Sequence, residues 1–166
     1  MLVSEIMSTD LITLNEDDDL DLAQSEMAWA GIRHLPVVSD GRLVGLVTHR
    51  DILGSMCSVF AELDKQEQSE LFRLVAVSEI MSRDIRTVGP NIDAAKAARL
   101  LLESKYGCLP VVEDEARLVG IVTEADFVQL SVRLFDQQMN DDQEEESDDP
   151  SSRFMRDDKD DEDGDW

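Results

Sequence analysis

A threonine and an aspartate three residues apart occur twice in this chain, as Thr48 and Asp51 and as Thr123 and Asp126. Each pair follows an apolar, β-rich run, and a helix is predicted to begin at the threonine. Side chains three apart share one helix face, so both can contact one bound molecule. The carboxylate suits paired sugar hydroxyls, and the free N–H groups of the helix start suit phosphate. The same spacing also fits a capping box, in which the aspartate serves only the first helical turn.

Glycine and positive charge surround the two pairs unequally. Gly45 and Gly120 precede them and would let a ligand or a neighbouring backbone segment approach closely. The first pair has nearby cationic or titratable residues at Arg33, His34, His49 and Arg50, whereas the equivalent positions near the second are Gly107, Cys108, Glu124 and Ala125. Glu124 would repel phosphate, and Arg86 could compensate in part. We therefore expect one good site, built mainly around Thr48 and Asp51. The second site is expected to be weak, empty or suited to a less charged ligand.

The sequence gives little support for a catalytic site or a metal-binding site. His34 and His49 lack the paired Cys/His spacing of a zinc site. The sequence has neither a Walker-type glycine loop nor an HExxH motif. Cys108 falls in an apolar strand pattern, which indicates a packed or cleft-lining thiol rather than a nucleophile. We predict no catalytic residue, no metal site and no required cofactor.

An internal repeat organises the chain. The segment Val3–Ser8 reappears 74 residues later as Val77–Ser82, and Leu35-Pro36-Val37-Val38 reappears at the same offset. The Gly-x-Val-Thr run reappears 75 residues later, so the second copy has one extra residue in the preceding turn. Three segments that recur in the same order indicate that the chain contains a duplicated unit.

The residue pattern of each copy predicts the same order of secondary-structure elements. A short extended segment around Thr13 or Thr87 precedes a helix, near Leu20–Ala30 or Ile92–Ser104, which nearby Asp and Asn residues can cap. Two strands joined by a turn follow, and a last helix starts at Thr48 or Thr123. We expect motif 1 over residues 1–54, a helical connector or helical hairpin over 55–76, motif 2 over 77–135, and a tail over 136–166.

Acidic residues far outnumber basic ones, with 38 Asp and Glu against 15 Lys and Arg and a net charge of -23. Binding to nucleic acid or to anionic membranes is disfavoured, because both depend on Lys and Arg. No signal peptide or CxxC pair is evident, which favours the cytoplasm. The tail is poor in apolar residues and is expected to be disordered. It is either a solvating segment or a partner-binding segment anchored by Phe154, Met155 and Trp166.

Taken together, the Ile-Met-Ser opening, the Leu-Pro-Val-Val strand and the Gly-x-Val-Thr-x-x-Asp signature resemble the CBS-domain family, in both copies and over about residues 1–135. The resemblance is to a stand-alone, bacterial-type tandem protein. It implies an α+β fold of two β-α-β-β-α motifs about a pseudo-two-fold axis, and a disc-like homodimer. It also implies clefts between the motifs that bind AMP, ADP, ATP or S-adenosylmethionine. The residues that it assigns to ligand binding, together with those chosen for charge, are Thr13, Arg33, His34, Pro36, Gly45, Thr48, His49, Arg50, Asp51, Thr87, Gly120, Thr123 and Asp126.

The predicted function is therefore a non-catalytic sensor of an adenine nucleotide that signals to another polypeptide. In the family, the extended segments around Thr13 and Thr87 read the adenine edge through their backbone, although an ordinary edge strand would have the same sequence. The alternative function is a ligand-free interaction or dimerisation module that acts through its connector or its acidic tail.

Overall fold

Two copies of one arrangement, a helix followed by a β-hairpin and a second helix, make up the fold. The structure is a computed structural model that describes residues 1–55 and 63–147, with side chains as far as residue 140. The first copy comprises α1 (Leu20–Ala30), β1 (His34–Ser39), β2 (Arg42–Thr48) and α2 (His49–Ser55). After α3 (Lys65–Phe72) and the short α4 (Val77–Ile80), the second copy comprises α5 (Ala94–Ser104), β3 (Cys108–Glu113), β4 (Arg117–Thr123) and α6 (Glu124–Ser147). The predicted α+β class and the duplication are confirmed.

Aspartate caps start the two equivalent helices, as the sequence predicted. The Asp19 carboxylate accepts a hydrogen bond from the backbone N–H of Leu22 (2.8 Å), and Asp93 accepts one from Ala95 N–H (2.8 Å). Each bond satisfies one of the N–H groups that a helix start leaves unpaired. Helix α1 has the predicted bounds, whereas α5 begins two residues after the predicted Ile92, because Asp93 caps it.

Two antiparallel hairpins form one four-stranded sheet in the order β1-β2-β4-β3. The β1–β2 turn has left-handed backbone angles at Asp40 and Gly41 (φ 51° and 76°). The β3–β4 turn contains the three-residue helix Asp114–Ala116, which accounts for the extra residue of the second copy. Between the hairpins only Arg42 and Arg117 pair, so the sheet contributes little to holding the copies together.

The predicted extended segment at the start of each copy forms only a single β-bridge. Leu14 N–H donates to Pro36 O (2.9 Å), and Val38 N–H donates to Leu14 O (2.8 Å). Val88 makes the equivalent parallel bridge to Val111. The chain turns immediately after both residues, at the Asn15–Asp18 hydrogen bonds and at Gly89-Pro90, so neither segment extends along its neighbour.

The opening segments of the two copies are exchanged. Ser8 pairs with Ile121 of β4, with N···O distances of 2.9 and 3.0 Å, and Ser82 pairs with Leu46 of β2 at the same two distances. The hydrophobic clusters follow the exchange. Val3 lies in the cluster of the second copy with Leu109 and Val122, whereas Val77 and Met81 lie in that of the first. Each core is therefore completed by residues from the other copy.

The predicted connector is described only in part. Of the predicted connector, residues 56–62 lie outside the described part of the chain. The following α3 is fixed to α1, because Ser69 Oγ and Arg73 Nε donate to the Asp21 carboxylate (2.6 and 3.0 Å) and Phe72 is buried.

Helix α6 continues to Ser147 instead of ending near Phe135, because its Gln and Glu residues favour helix. Residues 136–147 of the predicted tail thus lie in this helix, and residues 148–166 lie outside the described part. Residues 1–127 form one compact unit, and from Val128 onward α6 belongs to a second.

Candidate functional site

The two Thr/Asp pairs form caps at the starts of α2 and α6. Thr48 donates to Asp51 Oδ2 from its backbone N–H (2.8 Å) and its hydroxyl (2.6 Å), and Thr123 donates both bonds to Asp126 Oδ2 (2.7 Å each). These contacts match the capping interpretation, yet they use only one oxygen of each half-buried carboxylate. The other oxygen has no hydrogen-bond partner within the described residues. The cap therefore fixes each carboxylate while an acceptor remains open to a ligand.

The Asp51 cleft, of about 710 Å³, combines the Thr48–Asp51 cap with residues of the second copy. Its apolar lining includes Leu46, Leu53, Ile85, Leu101, Leu102 and Tyr106. The cationic residues in its lining are Arg33, Arg50, Arg86 and Lys105, with His34 and His49 beside them. The carboxylates are those of Asp51, Asp84 and Glu124.

The Asp126 cleft, of about 580 Å³, combines the Thr123–Asp126 cap with residues of the first copy. Leu11, Ile12, Ala30, Ile32 and Pro36 provide apolar walls. Arg33 and His34 also line this cleft, together with three carboxylates, those of Asp10, Glu124 and Asp126. Counting Lys and Arg alone as cations, four cations and three carboxylates line the Asp51 cleft, against one cation and three carboxylates here. The Asp51 cleft is thus the more favourable one for an anion.

Not every predicted site residue lies in a cleft. Gly45 and Gly120 lie under methionines of the opposite copy, since a Cβ at these positions would lie 2.2 Å from Met81 Sδ and 2.5 Å from Met7 Sδ. The close approach that the glycines permit is therefore made by Met81 and Met7, and neither glycine lines a cleft. Thr13 and Thr87 are also absent from both linings, although their neighbours Ile12 and Arg86 are present.

Arg86 corrects one expectation. The sequence interpretation assigned it to the second site, but it lines the Asp51 cleft. The reason is the exchange of the opening segments, which carries the chain after Ser82 across to the first copy. Ile12, the equivalent residue of the first copy, lines the Asp126 cleft for the corresponding reason, and Pro36 lines the same cleft.

Several lining residues carried no sequence signal of their own. In the Asp51 cleft these are Ser82, Asp84, Ile85, Lys105 and Tyr106. Lys105 has a left-handed backbone (φ 56°) at the end of α5, where Gly31 stands in the first copy. Comparing the two copies position by position would have singled out Lys105 as a lysine in a place that favours glycine.

Comparison with known proteins agrees with this architecture. The CBS domain family matches residues 3–58 and 77–133. The chain belongs to the CBS-domain family. A CBS domain-containing protein of Dictyostelium discoideum is 34% identical over 137 residues, covering 82% of this chain and 94% of the relative. The chain spans only 22% of another relative, inosine-5'-monophosphate dehydrogenase of Thermoplasma acidophilum, with 32% identity over 123 residues and 74% of this chain covered.

Solved CBS pairs with bound ligands have the same fold. CBSX2, a CBS-pair protein of Arabidopsis thaliana, in complex with AMP has a TM-score of 0.66 and 29% identity, covering 80% of this chain and 97% of its own. A CBS domain pair in complex with 5'-methylthioadenosine and S-adenosyl-L-methionine has a TM-score of 0.63 and 28% identity, covering 78% and 94%. Both neighbours therefore hold adenosine-containing molecules.

His34 occupies the wall between the two clefts of this CBS pair. Burial lowers its pKa, and Arg33 lowers it further, whereas the carboxylates of Glu124 and Asp51 act in the opposite direction. The imidazole is neutral near pH 7 in the absence of ligand. An anion in either cleft would favour its charged form.

The thiol of Cys108, which lines the Asp51 cleft, is the pseudo-symmetric counterpart of His34. Burial raises its pKa to about 12, so it is protonated and a poor nucleophile at neutral pH. Within the described ranges, no three His, Cys, Asp or Glu side chains converge as a metal site would require. In the same ranges, no helix has both the length and the apolar character needed to cross a membrane.

Proposed function

We propose that this CBS pair is a non-catalytic regulatory module that binds an adenine nucleotide (AMP, ADP or ATP) in the Asp51 cleft and signals to a partner protein. The observation that carries the proposal is the combination, in one cleft, of a cap-fixed carboxylate and four cationic side chains. The open oxygen of Asp51 would accept the ribose hydroxyls. Apolar side chains, with Tyr106 among them, would cover the base. The AMP and S-adenosylmethionine complexes of its neighbours support this ligand class.

Calorimetry on the full chain tests the site directly. AMP, ADP and ATP are titrated into wild type, Asp51→Asn and Asp126→Asn. A hydrogen bond to a charged acceptor contributes about 1 kcal/mol more than one to a neutral acceptor, so Asp51→Asn should weaken binding about fivefold. Asp126→Asn should leave nucleotide affinity within about twofold. The two variants are matched, because each loses charge at an equivalent cap. A loss confined to Asp126→Asn would contradict the assignment.

A second candidate function, an interaction and dimerisation module, is favoured by the exposed side of α6 beyond Phe127. Val128, Val132, Phe135 and Met139 are each more than half exposed and follow a heptad spacing. We propose that a second copy of the chain covers this stripe in a homodimer. Light scattering after size exclusion should give twice the chain mass for wild type and a lower mass for Val132→Asp. Gln137→Asp, on the opposite side of the helix, is the control. A monomeric wild type would contradict the homodimer.

A further inference from the structure

Four residues form a wall common to both clefts: Arg33, His34, Gly107 and Glu124. Backbone hydrogen bonds fix its position, because His49 N–H donates to Arg33 O (2.9 Å) and Glu124 N–H donates to Gly107 O (3.4 Å). These two bonds are equivalent under the internal repeat. The side chains are not equivalent, because Arg33 and His49 in one copy correspond to Gly107 and Glu124 in the other.

The imidazole of His34 is packed directly against Gly107. A Cβ at position 107 would lie 2.6 Å from His34 Nε2, so glycine is the residue that leaves room for the ring. His34 of the first copy therefore reaches Gly107 of the second copy, and His34 and Arg33 line both clefts at once. Either cleft could use His34 and Arg33 to bind an anion, but the two clefts share one set.

The two clefts differ in the cationic residues that remain available once Arg33 and His34 contact an anion. The Asp51 cleft retains Arg50, Arg86 and Lys105, whereas the Asp126 cleft has no further Lys or Arg in its lining. A phosphate group in the Asp126 cleft would then face Glu124 and Asp10 without compensating charge. The apolar wall of Ile12 and Ile32 and the open oxygen of Asp126 remain suited to a planar base and to sugar hydroxyls.

We propose that each chain binds one phosphorylated nucleotide, in the Asp51 cleft, and one nucleoside ligand without phosphate, in the Asp126 cleft. Glu124 lines both clefts, but in the Asp126 cleft no Lys or Arg beyond the shared Arg33 offsets it, so there it is the specificity-determining residue that excludes phosphate. This inference rests on the proposed nucleotide function and adds the ligand class of the second cleft. The clefts are then selective for different ligands and do not act as two equal sites.

Calorimetry with ATP and adenosine tests the assignment on the full chain. ATP should bind wild type with a stoichiometry of one, and adenosine should then bind the ATP-saturated protein, also with a stoichiometry of one. Glu124→Gln removes a like charge from an exposed side chain and should strengthen ATP binding at the second cleft about three- to tenfold, giving a second transition. Glu103→Gln makes the same change outside both linings and should have no effect.

The outcomes separate the two proposals. Two ATP molecules bound with equal affinity by wild type would overturn the inference and leave the nucleotide function standing. An ATP-saturated protein that no longer binds adenosine, or a Glu124→Gln variant identical to wild type, would also overturn the inference. Failure of ATP, ADP and AMP to bind at all would overturn the proposed function, and the inference with it.

Discussion

Replacing Gly45 by alanine probes the exchanged opening segments, because the new methyl group meets Met81 of the other copy. The Cβ would lie 2.2 Å from Met81 Sδ and 2.9 Å from its Cγ, far inside van der Waals contact. Met81 is 8% exposed and belongs to the first hydrophobic cluster, so its side chain has little room to move. Overpacking of this kind costs about 1–3 kcal/mol. For a chain of this size, that corresponds to a fall of about 2–12 °C in melting temperature.

A double-mutant cycle isolates the contact. Met81→Ala alone should cost about 2–5 kcal/mol through the cavity that it leaves. In the double variant the methyl group at position 45 occupies part of that cavity, so the combined loss should be about 1–3 kcal/mol smaller than the sum of the single losses. Urea unfolding, followed by circular dichroism, gives all four free energies of unfolding.

Gly54→Ala is the matched control. It lies in α2, where a Cβ meets nothing within 4 Å, and the greater helix propensity of alanine should stabilise the protein by up to about 1 kcal/mol. Single losses that add to within about 0.5 kcal/mol would refute the contact between Gly45 and Met81, and with it the exchange of the opening segments.

Three further predictions concern single side chains. Burial holds the pKa of His34 below the ordinary value, so the unfolded chain takes up a proton first as the pH falls below about 6.5. Wild type should therefore lose stability between pH 7 and 5 relative to His34→Gln, and parallel pH profiles of the unfolding midpoint would contradict this. Asp19→Ala should lower the free energy of unfolding by about 1 kcal/mol through loss of the α1 cap, and an unchanged urea midpoint would argue against the cap. In a Cys57→Ser background, Cys108 should react with maleimide at pH 7.5 much more slowly than a free thiol, and comparable rates would show that it is not buried in solution.

The sequence predicted local structure well because the signals for it are local. Asp19 and Asp93 cap the predicted helices, and Thr48 and Thr123 mark the starts of α2 and α6. The Thr/Asp spacing was enough to anticipate a fixed carboxylate at each cap. The sequence interpretation also ranked the site around Asp51 above the second, from the charges that surround each motif.

The exchange could not be predicted from the repeat. Two identical opening segments can pair with either copy without any change in the pattern of residues, and only the tertiary structure distinguishes the two arrangements. The assignment of Arg86 to the second site was wrong for this reason. The glycine at position 107 was likewise uninterpretable without its contact to His34.

The reciprocal pairing of Ser8 with Ile121 and of Ser82 with Leu46 has a consequence for how such a protein could arise. In this arrangement the opening segment of a motif does not pair with the strands of its own motif. The edge of its second strand is left unpaired until the opening segment of another motif binds there. Two separate chains of one motif each would complete one another by trading these segments, as in a domain-swapped dimer. Fusion of the two genes would then convert an assembly that depends on concentration into one that forms within a single chain. After the fusion the two halves are free to diverge in charge, as Arg33 and Gly107 have done.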